Sequence, residues 1–342
     1  MLPQFGLPAV LTQWQFAPMV TGFAILAVVL YGWGVIRVGR RHPARPWPLW
    51  RTCMFAAGVA VIVLATQSGI GAYDDVLFYD HMVQHLLLLM VAPPLLIVGQ
   101  PLTLLLHASR NPLHTWAKRI LRSRVASFLT WPVFGALTYA LAVAAVHLSG
   151  LANLIDRNQM AHNAEHALFL LVGYLFYLPI LGQEPIRWRL SYPVRFVILI
   201  LLMPVDTFTG IALGYGSASS PGVPTGPRPV WAPSPVSDLH LGGAVMWVGG
   251  DGLMFILMML VFLMWSRDDR ASVSARSWFE RARQENLANL VRPQHAAGPA
   301  AATTPAGSGL ADGRGTIDDD EHLAAYNAYL ARLHQPPKAG AS

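Results

Sequence analysis

The chain has 342 residues, of which 54% are hydrophobic and 12% are charged, and this excludes an ordinary soluble domain, since such domains carry about 25% charged residues. Its net charge is +6, but the basic residues lie in short clusters between apolar runs, a pattern typical of membrane topology. We therefore expect membrane lipid and no nucleic acid among its partners. The single cysteine, Cys53, excludes a disulfide framework, a CxxC redox pair and a cysteine-based zinc site within one chain.

Seven apolar segments are long enough to cross a bilayer, which takes about 20 mainly apolar residues. The first follows a stretch without Lys or Arg, so it indicates a retained anchor and not a secretory signal. The sequence thus predicts an all-α membrane protein with a seven-helix transmembrane bundle over residues 1–265, kinked where prolines interrupt the third and sixth spans. The predicted spans are residues 18–36, 52–69, 82–106, 128–147, 164–181, 194–215 and 240–265.

Basic residues predict the orientation of this bundle. The first, third and fifth connections each hold at least three arginines or lysines, whereas the alternate connections hold only Arg157 and Arg228. Because cytoplasmic loops carry the excess of positive charge, we expect the N-terminus outside and the C-terminus in the cytoplasm.

Beyond the last predicted span the composition becomes polar. Residues 266–342 are predicted to form a partly disordered cytoplasmic tail, with an interfacial helix over 267–292, a disordered linker over about 293–315 and a short C-terminal amphipathic helix. The segment 216–238, rich in Pro, Gly and Ser, is predicted to be an irregular outer loop and a candidate lid.

Six histidines fall at the predicted outer ends of four spans. Two pairs, in the segments YDHMVQH and AHNAEH, are spaced i and i+4, so each pair shares one helix face. The six are the pair His81 and His85, the pair His162 and His166, and the single residues His147 and His240.

A cluster of polar side chains at one membrane depth usually has a function, because such groups are costly in lipid. Neutral imidazole binds copper, zinc, iron and nickel, so the pairs predict one or two copper sites between the third and fifth spans. His147 and His240 are included because they share the outer level. The alternative is a set of interfacial histidines that bond loop carbonyls and water at the depth of the lipid headgroups.

Neighbouring residues could support such a site. Asp80 and Glu165 adjoin the pairs and could accept the hydrogen bonds that set the imidazole tautomers. The thioether of Met82 would favour Cu(I).

Two carboxyl groups, Asp206 and Asp251, are predicted to lie near the middle of their spans, roughly 15 Å deep at 1.5 Å per residue. Intramembrane carboxyls face the bundle interior by default. They indicate either a proton or cation path or hydrogen-bonded structural groups, and the sequence does not favour one interpretation over the other.

Four segments resemble the CtaG family of bacterial cytochrome c oxidase assembly proteins: FYDHMVQHLLLLMVAPPLLIVGQPLTLLL, HNAEHALFLLVGYLFYLPILGQEP, MPVDTFTGIAL and DLHLGGAVMWVGGD. The resemblance implies a multi-pass plasma-membrane protein that helps to build haem-copper oxidase, has oxidase subunits as partners and handles copper. It also implies that the histidine motifs of the family fall on His81, His85, His162, His166 and His240.

The leading hypothesis is therefore an assembly factor that binds copper and is not an enzyme, since the chain has no P-loop, GxSxG, HExxH or dinucleotide motif. Two alternatives stay open. The paired histidines could ligate a b-type haem in a membrane redox protein. The chain could also transport copper or another small cation, with Asp206 and Asp251 on the ion path.

Overall fold

The computed structural model describes residues 3–149, 151, 158–182, 184–220, 223 and 228–291, and the regular structure within them is entirely helical. Six helices in these ranges are long and apolar enough to cross a membrane, so the chain is a multi-pass membrane protein. The segment predicted as the fourth span contains a shorter apolar helix of 17 residues. The count of seven spans and the orientation of the termini stay predictions. The six long helices are Pro18–Arg41, Leu49–Tyr73, Phe78–Ala108, Gln159–Leu181, Tyr192–Gly214 and Pro235–Asp269.

Several of these spans are built from more than one helical element. Two π-helical segments each join two successive α-helices: Leu87–Val91 links α5 to α6, and Val245–Gly249 links α13 to α14. In chain order the helices are α1 Leu7–Thr12, α2 Pro18–Arg41, α3 Leu49–Gln67, α4 Gly69–Tyr73, α5 Phe78–Leu86, α6 Ala92–Val98, α7 Pro101–Ala108, α8 Leu113–Leu121, α9 Arg124–Leu129, α10 Pro132–Leu148, α11 Gln159–Leu181, α12 Tyr192–Gly214, α13 Pro235–Ala244 and α14 Gly250–Val291.

Prolines account for the breaks in the third span. Proline lacks a backbone N–H and its ring clashes with the carbonyl of the preceding turn, so an α-helix cannot run through it undisturbed. The π-helical segment Leu87–Val91 stands immediately before the α6 prolines, Pro93 and Pro94. Gln100 then adopts a left-handed conformation, with φ of 53°, and Pro101 starts α7. Pro204, by contrast, lies inside an uninterrupted α12.

Two larger apolar cores hold the helices together. The main core contains fully buried aromatic side chains from α10 and α11, including Tyr139, Phe169 and Phe176, together with side chains of α5, α12, α13 and α14. A second core lies between α2, α3 and α7, where Tyr31 stacks on Phe55 at a ring-centroid distance of 3.9 Å.

Two buried carboxylates close the N-terminal ends of α5 and α7, whose first N–H groups have no partner within the helix. Asp238 of α13 accepts hydrogen bonds from the backbone N–H groups of Phe78 and Tyr79 at 2.9 and 3.1 Å. Glu184 accepts from Leu102 and Thr103 in the first turn of α7, at 3.0 and 2.9 Å. The first and the last helical elements of the broken third span are therefore each capped by a residue that is distant in the sequence.

The close approach of α11 to the π-helical segment requires glycine at position 173. A Cβ on Gly173 would overlap the carbonyl oxygen of Leu89 and would lie 2.8 Å from the Pro93 ring. We expect Gly173→Ala to lower the free energy of unfolding by about 1–3 kcal/mol, because the backbone atom it meets cannot turn aside. Thermal unfolding in detergent would measure this. The control is Gly32→Ala, where a Cβ would meet nothing within 4 Å, and an equal effect of both changes would contradict the packing argument.

The last helix is continuous where the sequence predicts two separate helices. The span predicted to end at residue 265 continues as α14 to Val291, so the predicted interfacial helix over 267–292 belongs to that same helix. Compact units comprise residues 1–275 and 276–342, and residues 276–291 are the part of the second unit that the structure describes. The predicted linker and C-terminal amphipathic helix lie outside the described residues, and the predicted boundary at residue 265 stays a prediction. The loop over 216–238 is described in part, and its last residues belong to α13.

Candidate metal centre

Three helices bring five histidines to one place. α5 carries His81 in its first half and His85 in its last turn, and α10 carries His147 in its last turn. α11 begins after Asn158, whose side chain accepts hydrogen bonds from Met160 N and Ala161 N, and it then carries His162 and His166. Four of the five are buried: His81, His85, His147 and His162 are 8%, 4%, 4% and 4% exposed.

The imidazole rings are in contact within each pair and between helices. Ring centroids lie 4.1 Å apart for His81 and His85 and 4.5 Å apart for His162 and His166. Between helices, His81 lies 5.2 Å from His162 and 6.4 Å from His166. The two i, i+4 pairs therefore face one another across α5 and α11.

Two groups of potential ligand atoms share one residue. In the first group, atoms of Asp74, His81, His162 and His166 all lie within 4.8 Å of one another. In the second, atoms of His81, His85 and Glu165 do the same. A zinc-type or copper-type ion sits about 2 Å from its ligands, so ligand atoms this close could be drawn around one ion. His81 belongs to both groups, which lie side by side.

Each group contains a carboxylate. Asp74 Oδ2 lies 3.2 Å from His162 Nε2 and accepts a hydrogen bond from Gln84 Nε2 at 3.0 Å. The two oxygens of Glu165 lie 3.5 Å from His85 Nε2 and 3.8 Å from His81 Nε2. Negative charge beside several imidazoles favours a bound cation, because it offsets part of the cost of burying the charge of the ion.

A relay of hydrogen bonds sets the tautomer of His85. His147 Nδ1 lies 2.8 Å from the carbonyl oxygen of Val143, which can only accept, so Nδ1 carries the proton. In the neutral imidazole, His147 Nε2 is then an acceptor, and it lies 3.1 Å from His85 Nδ1. His85 Nδ1 therefore donates, and His85 Nε2 keeps a lone pair on the side of Glu165. Metal-binding histidines are usually oriented by this kind of bond through the other ring nitrogen.

Buried atoms without hydrogen-bond partners concentrate around this cluster. Nearly all buried polar groups in proteins have a partner, so each exception needs an explanation. A cation bound by imidazole and carboxylate atoms would supply partners for most of the group, and the donor set fits one. Within the described residues the unpartnered atoms here are His85 Nε2, His162 Nδ1, His166 Nε2, Glu165 Oε2, Asp80 Oδ2 and Gln84 Oε1.

Some residues that the sequence predicted for the site lie elsewhere. His240 is exposed, and its Nε2 lies 2.8 Å from the carbonyl oxygen of Gly216, outside both groups of ligand atoms. Met82 is 1% exposed and packs in the main core, where a Cβ on Gly242 would approach its Cγ to 3.1 Å. Asp80 is 1% exposed, directly before His81. Metal roles for His240 and Met82 stay predictions that this geometry does not support.

Asp74 and Gln84 were not predicted to belong to the site. Asp74 follows α4, in the short connection before α5, and bonds both His162 and Gln84. Gln84 also donates to the carbonyl oxygen of Ala65 on α3, at 2.8 Å. An acidic residue next to a histidine-bearing helix was the signal for Asp74, whereas Gln84 carried no signal of its own.

The intramembrane carboxyls form a separate polar group. Tyr139 donates a hydrogen bond to Asp206 Oδ2 at 2.8 Å, and Asp206 Oδ1 has no partner among the described residues. Thr207 Oγ1 lies 3.0 and 2.8 Å from the two oxygens of Asp251. These bonds suit the structural interpretation, and a role in a proton or cation path stays a prediction.

A carboxylate of α13 caps and positions α5, the helix that carries His81 and His85. Asp238 is fully buried, caps α5 at Phe78 and Tyr79, and forms an ion pair with Arg228. An anion at a helix N-terminus is favourable, because the unpaired N–H groups and the helix dipole both attract it. The orientation of α5, and so of His81 and His85, is tied to α13 through this carboxylate.

Comparison with known proteins gives one family and several relatives. The family model Caa3_CtaG, described as cytochrome c oxidase caa3 assembly factor, matches residues 29–268. Uncharacterized proteins of Mycobacterium bovis and Mycobacterium tuberculosis are each 32% identical over 275 residues, which is 78% of this chain and 41% of theirs. An uncharacterized protein of Mycobacterium leprae is 31% identical over 266 residues, 75% of this chain and 40% of its own length. The chain thus spans about two fifths of these relatives. No solved structure shows significant similarity.

Proposed function

Since this chain belongs to the Caa3_CtaG family of cytochrome c oxidase caa3 assembly factors, we propose that it assists oxidase assembly by holding copper at its buried histidine cluster. Copper is the cargo of this proposal and is passed to an oxidase subunit in the same plasma membrane. The protein acts as a carrier and not as an enzyme, because binding and release need no bond to be made or broken in a substrate.

One observation carries the proposal: imidazole and carboxylate ligand atoms from α5, α11 and Asp74 come within 4.8 Å of one another in two adjacent groups. Within the described part of the chain, His85 Nε2, His162 Nδ1 and His166 Nε2 are buried and have no hydrogen-bond partner. Nitrogen and oxygen donors of this kind suit Cu(II), zinc and iron, and imidazole also binds Cu(I). The family description selects copper from this range, because cytochrome c oxidase is a haem-copper enzyme.

The shared residue His81 supports transfer as well as binding. An ion held by Asp74, His81, His162 and His166 could move to His81, His85 and Glu165 while keeping one ligand. Exchange of one ligand at a time avoids a bare ion in a buried site, which would be costly. A carrier must release its cargo, and two adjacent ligand sets provide a path for that release.

Metal analysis of the purified protein tests the binding step. We expect the wild-type chain to retain copper after loading and removal of free metal, and we expect His81→Ala/His85→Ala to retain almost none. The same samples test the haem alternative, because a bound b-type haem would give a Soret absorption band. Equal, near-zero copper in wild type and variant would contradict the carrier proposal.

Complementation tests the assembly step. In cells that lack this protein, we expect low haem-copper oxidase activity and a low copper content of the purified oxidase. The wild-type gene should restore both, and His81→Ala/His85→Ala should restore neither, although it reaches the membrane at the same level. Full restoration by the variant would show that oxidase assembly does not depend on metal binding at this cluster.

A further inference from the structure

A second polar site lies at the other end of the third span. That span begins with the histidine helix α5 and ends with α7, which carries Thr103 and His107. Together with the end of α2 and the start of α3, α7 encloses a pocket of about 570 Å³. Its basic and aromatic lining comprises Arg41, Arg45, Arg51, His42, His107 and Trp47.

Two arginines of this pocket have buried donors without partners. Arg41 Nη1 donates to the carbonyl oxygens of Ala108 and Ser109, at 2.8 and 3.3 Å, whereas its Nη2 is buried and has no partner among the described residues. The same holds for Arg51 Nε. A guanidinium cannot lose its charge in a protein, so its unsatisfied donors call for an acceptor from outside the chain.

Hydrogen bonds and ring contacts hold the side chains in the wall of the pocket. Trp47 donates from Nε1 to the hydroxyl of Tyr31 at 3.0 Å, and that hydroxyl donates to the carbonyl oxygen of Gly99 at 2.8 Å. The Arg51 guanidinium lies over Trp47 at 4.9 Å from the ring centroid and over Trp50 at 5.4 Å. Stacking on aromatic rings holds a guanidinium in place, so less entropy is lost when it binds an anion.

The charge of the pocket is positive. Its lining contains three arginines and two histidines, and none of its lining residues is acidic. Glu184, the carboxyl that caps α7, is occupied by Leu102 N, Thr103 N and Thr103 Oγ1. Burial raises the pKa of Glu184, whereas its hydrogen bonds from Thr103 and Leu102, and to a smaller extent the positive charge of Arg51, oppose this rise.

We propose that this pocket binds the phosphate group of an anionic ligand, with Arg41 and Arg51 as its principal donors. Guanidinium groups match phosphate oxygens in two-point hydrogen bonds. Basic pockets between membrane helices near the bilayer surface bind the headgroups of anionic lipids, so a phospholipid is the natural source of this phosphate. A free phosphate compound offers the same chemistry, and the experiment separates the two sources.

Lipid titration of the purified full-length chain tests the proposal. Native mass spectrometry in detergent would measure retention of phosphatidylglycerol, phosphatidylcholine and inorganic phosphate. We expect phosphatidylglycerol to bind about tenfold more tightly than phosphatidylcholine, and Arg41→Gln/Arg51→Gln to remove this preference. Phosphate that competes with phosphatidylglycerol would show that the phosphate group is enough, whereas lipid binding without competition would show that the acyl chains contribute.

A matched control separates a built site from general surface charge. Arg119→Gln/Arg122→Gln removes the same charge from exposed arginines in and directly after α8, outside the pocket. This variant should keep the preference. Arg51→Gln alone serves if loss of the Arg41 bonds to α7 impairs folding. The proposal would be overturned if the wild type bound both lipids equally, or if the control variant lost the preference for phosphatidylglycerol to the same extent. The pocket arginines would then only extend their charged groups toward the membrane surface.

Discussion

His81→Ala is expected to weaken copper binding more than any other single substitution in the cluster, by on the order of 100-fold or more. His81 is the one residue that belongs to both groups of ligand atoms, so its loss leaves neither group complete. Loss of His85 or His166 would leave the other group intact. Competition with a chromophoric copper chelator, under conditions that keep the metal in one oxidation state, would measure the affinities.

Variants of two other histidines serve as comparisons for the His81 variant. His147→Ala should lower the copper affinity about 10–100-fold, because His147 contacts the cluster through His85 Nδ1 and acts by orienting that ring. His240→Ala should leave the affinity unchanged, since that imidazole is exposed and bonds Gly216. A His81 variant that binds copper as tightly as the His240 variant would refute the assignment of the shared ligand.

Asp238→Asn is expected to lower the free energy of unfolding by about 3–5 kcal/mol, the usual cost of leaving one partner of a buried ion pair without the other. Asp238 is fully buried and pairs with Arg228, whose side chain is 12% exposed. The substitution also weakens the cap on α5, because a neutral amide oxygen is a poorer acceptor than a carboxylate. Copper affinity should fall with stability, since α5 carries His81 and His85.

Thermal unfolding in detergent, with and without copper, would measure both effects. Asp268→Asn is the control, because Asp268 is an exposed carboxyl that bonds only Tyr192 in the described part of the chain. Arg228→Gln added to Asp238→Asn should recover part of the lost stability, since no buried charge is then left alone. A double variant that is as unstable as the sum of its single changes would indicate that the two residues act independently.

The sequence predicts which histidines share a helix face better than it predicts whether that face is turned toward the cluster. Spacing of i and i+4 placed His81 with His85 and His162 with His166 on common faces, and the structure brings both pairs together. It placed His240 at the same depth, but depth does not determine which side of a helix faces the cluster. α13 turns Gly242 toward Phe78, and His240 lies on an exposed face.

Contacts between residues that are distant in the chain could not be predicted from the sequence. Asp74 lies in the connection after α4 and Asp238 in the first turn of α13, and each acts through a partner at least ten residues away in the chain. The continuity of the last helix was also not predicted, because charged residues after Trp265 end an apolar run without ending the helix. Hydropathy reports how long a segment is apolar, whereas helix length depends on backbone hydrogen bonds that continue in polar surroundings.

The π-helical segment Leu87–Val91 makes the number of residues in this stretch matter more than their identity. Each residue of an α-helix advances the chain by about 100° and 1.5 Å. Deletion of one residue here would let the hydrogen bonds close in the tighter α pattern. The imidazoles of His81 and His85, which precede this segment, would then rotate about a quarter turn around the helix axis, away from α11. Apolar replacements in the same stretch would leave that angle unchanged. Homologous chains that keep the histidine cluster should therefore differ in the identity of the residues in this segment but keep their number.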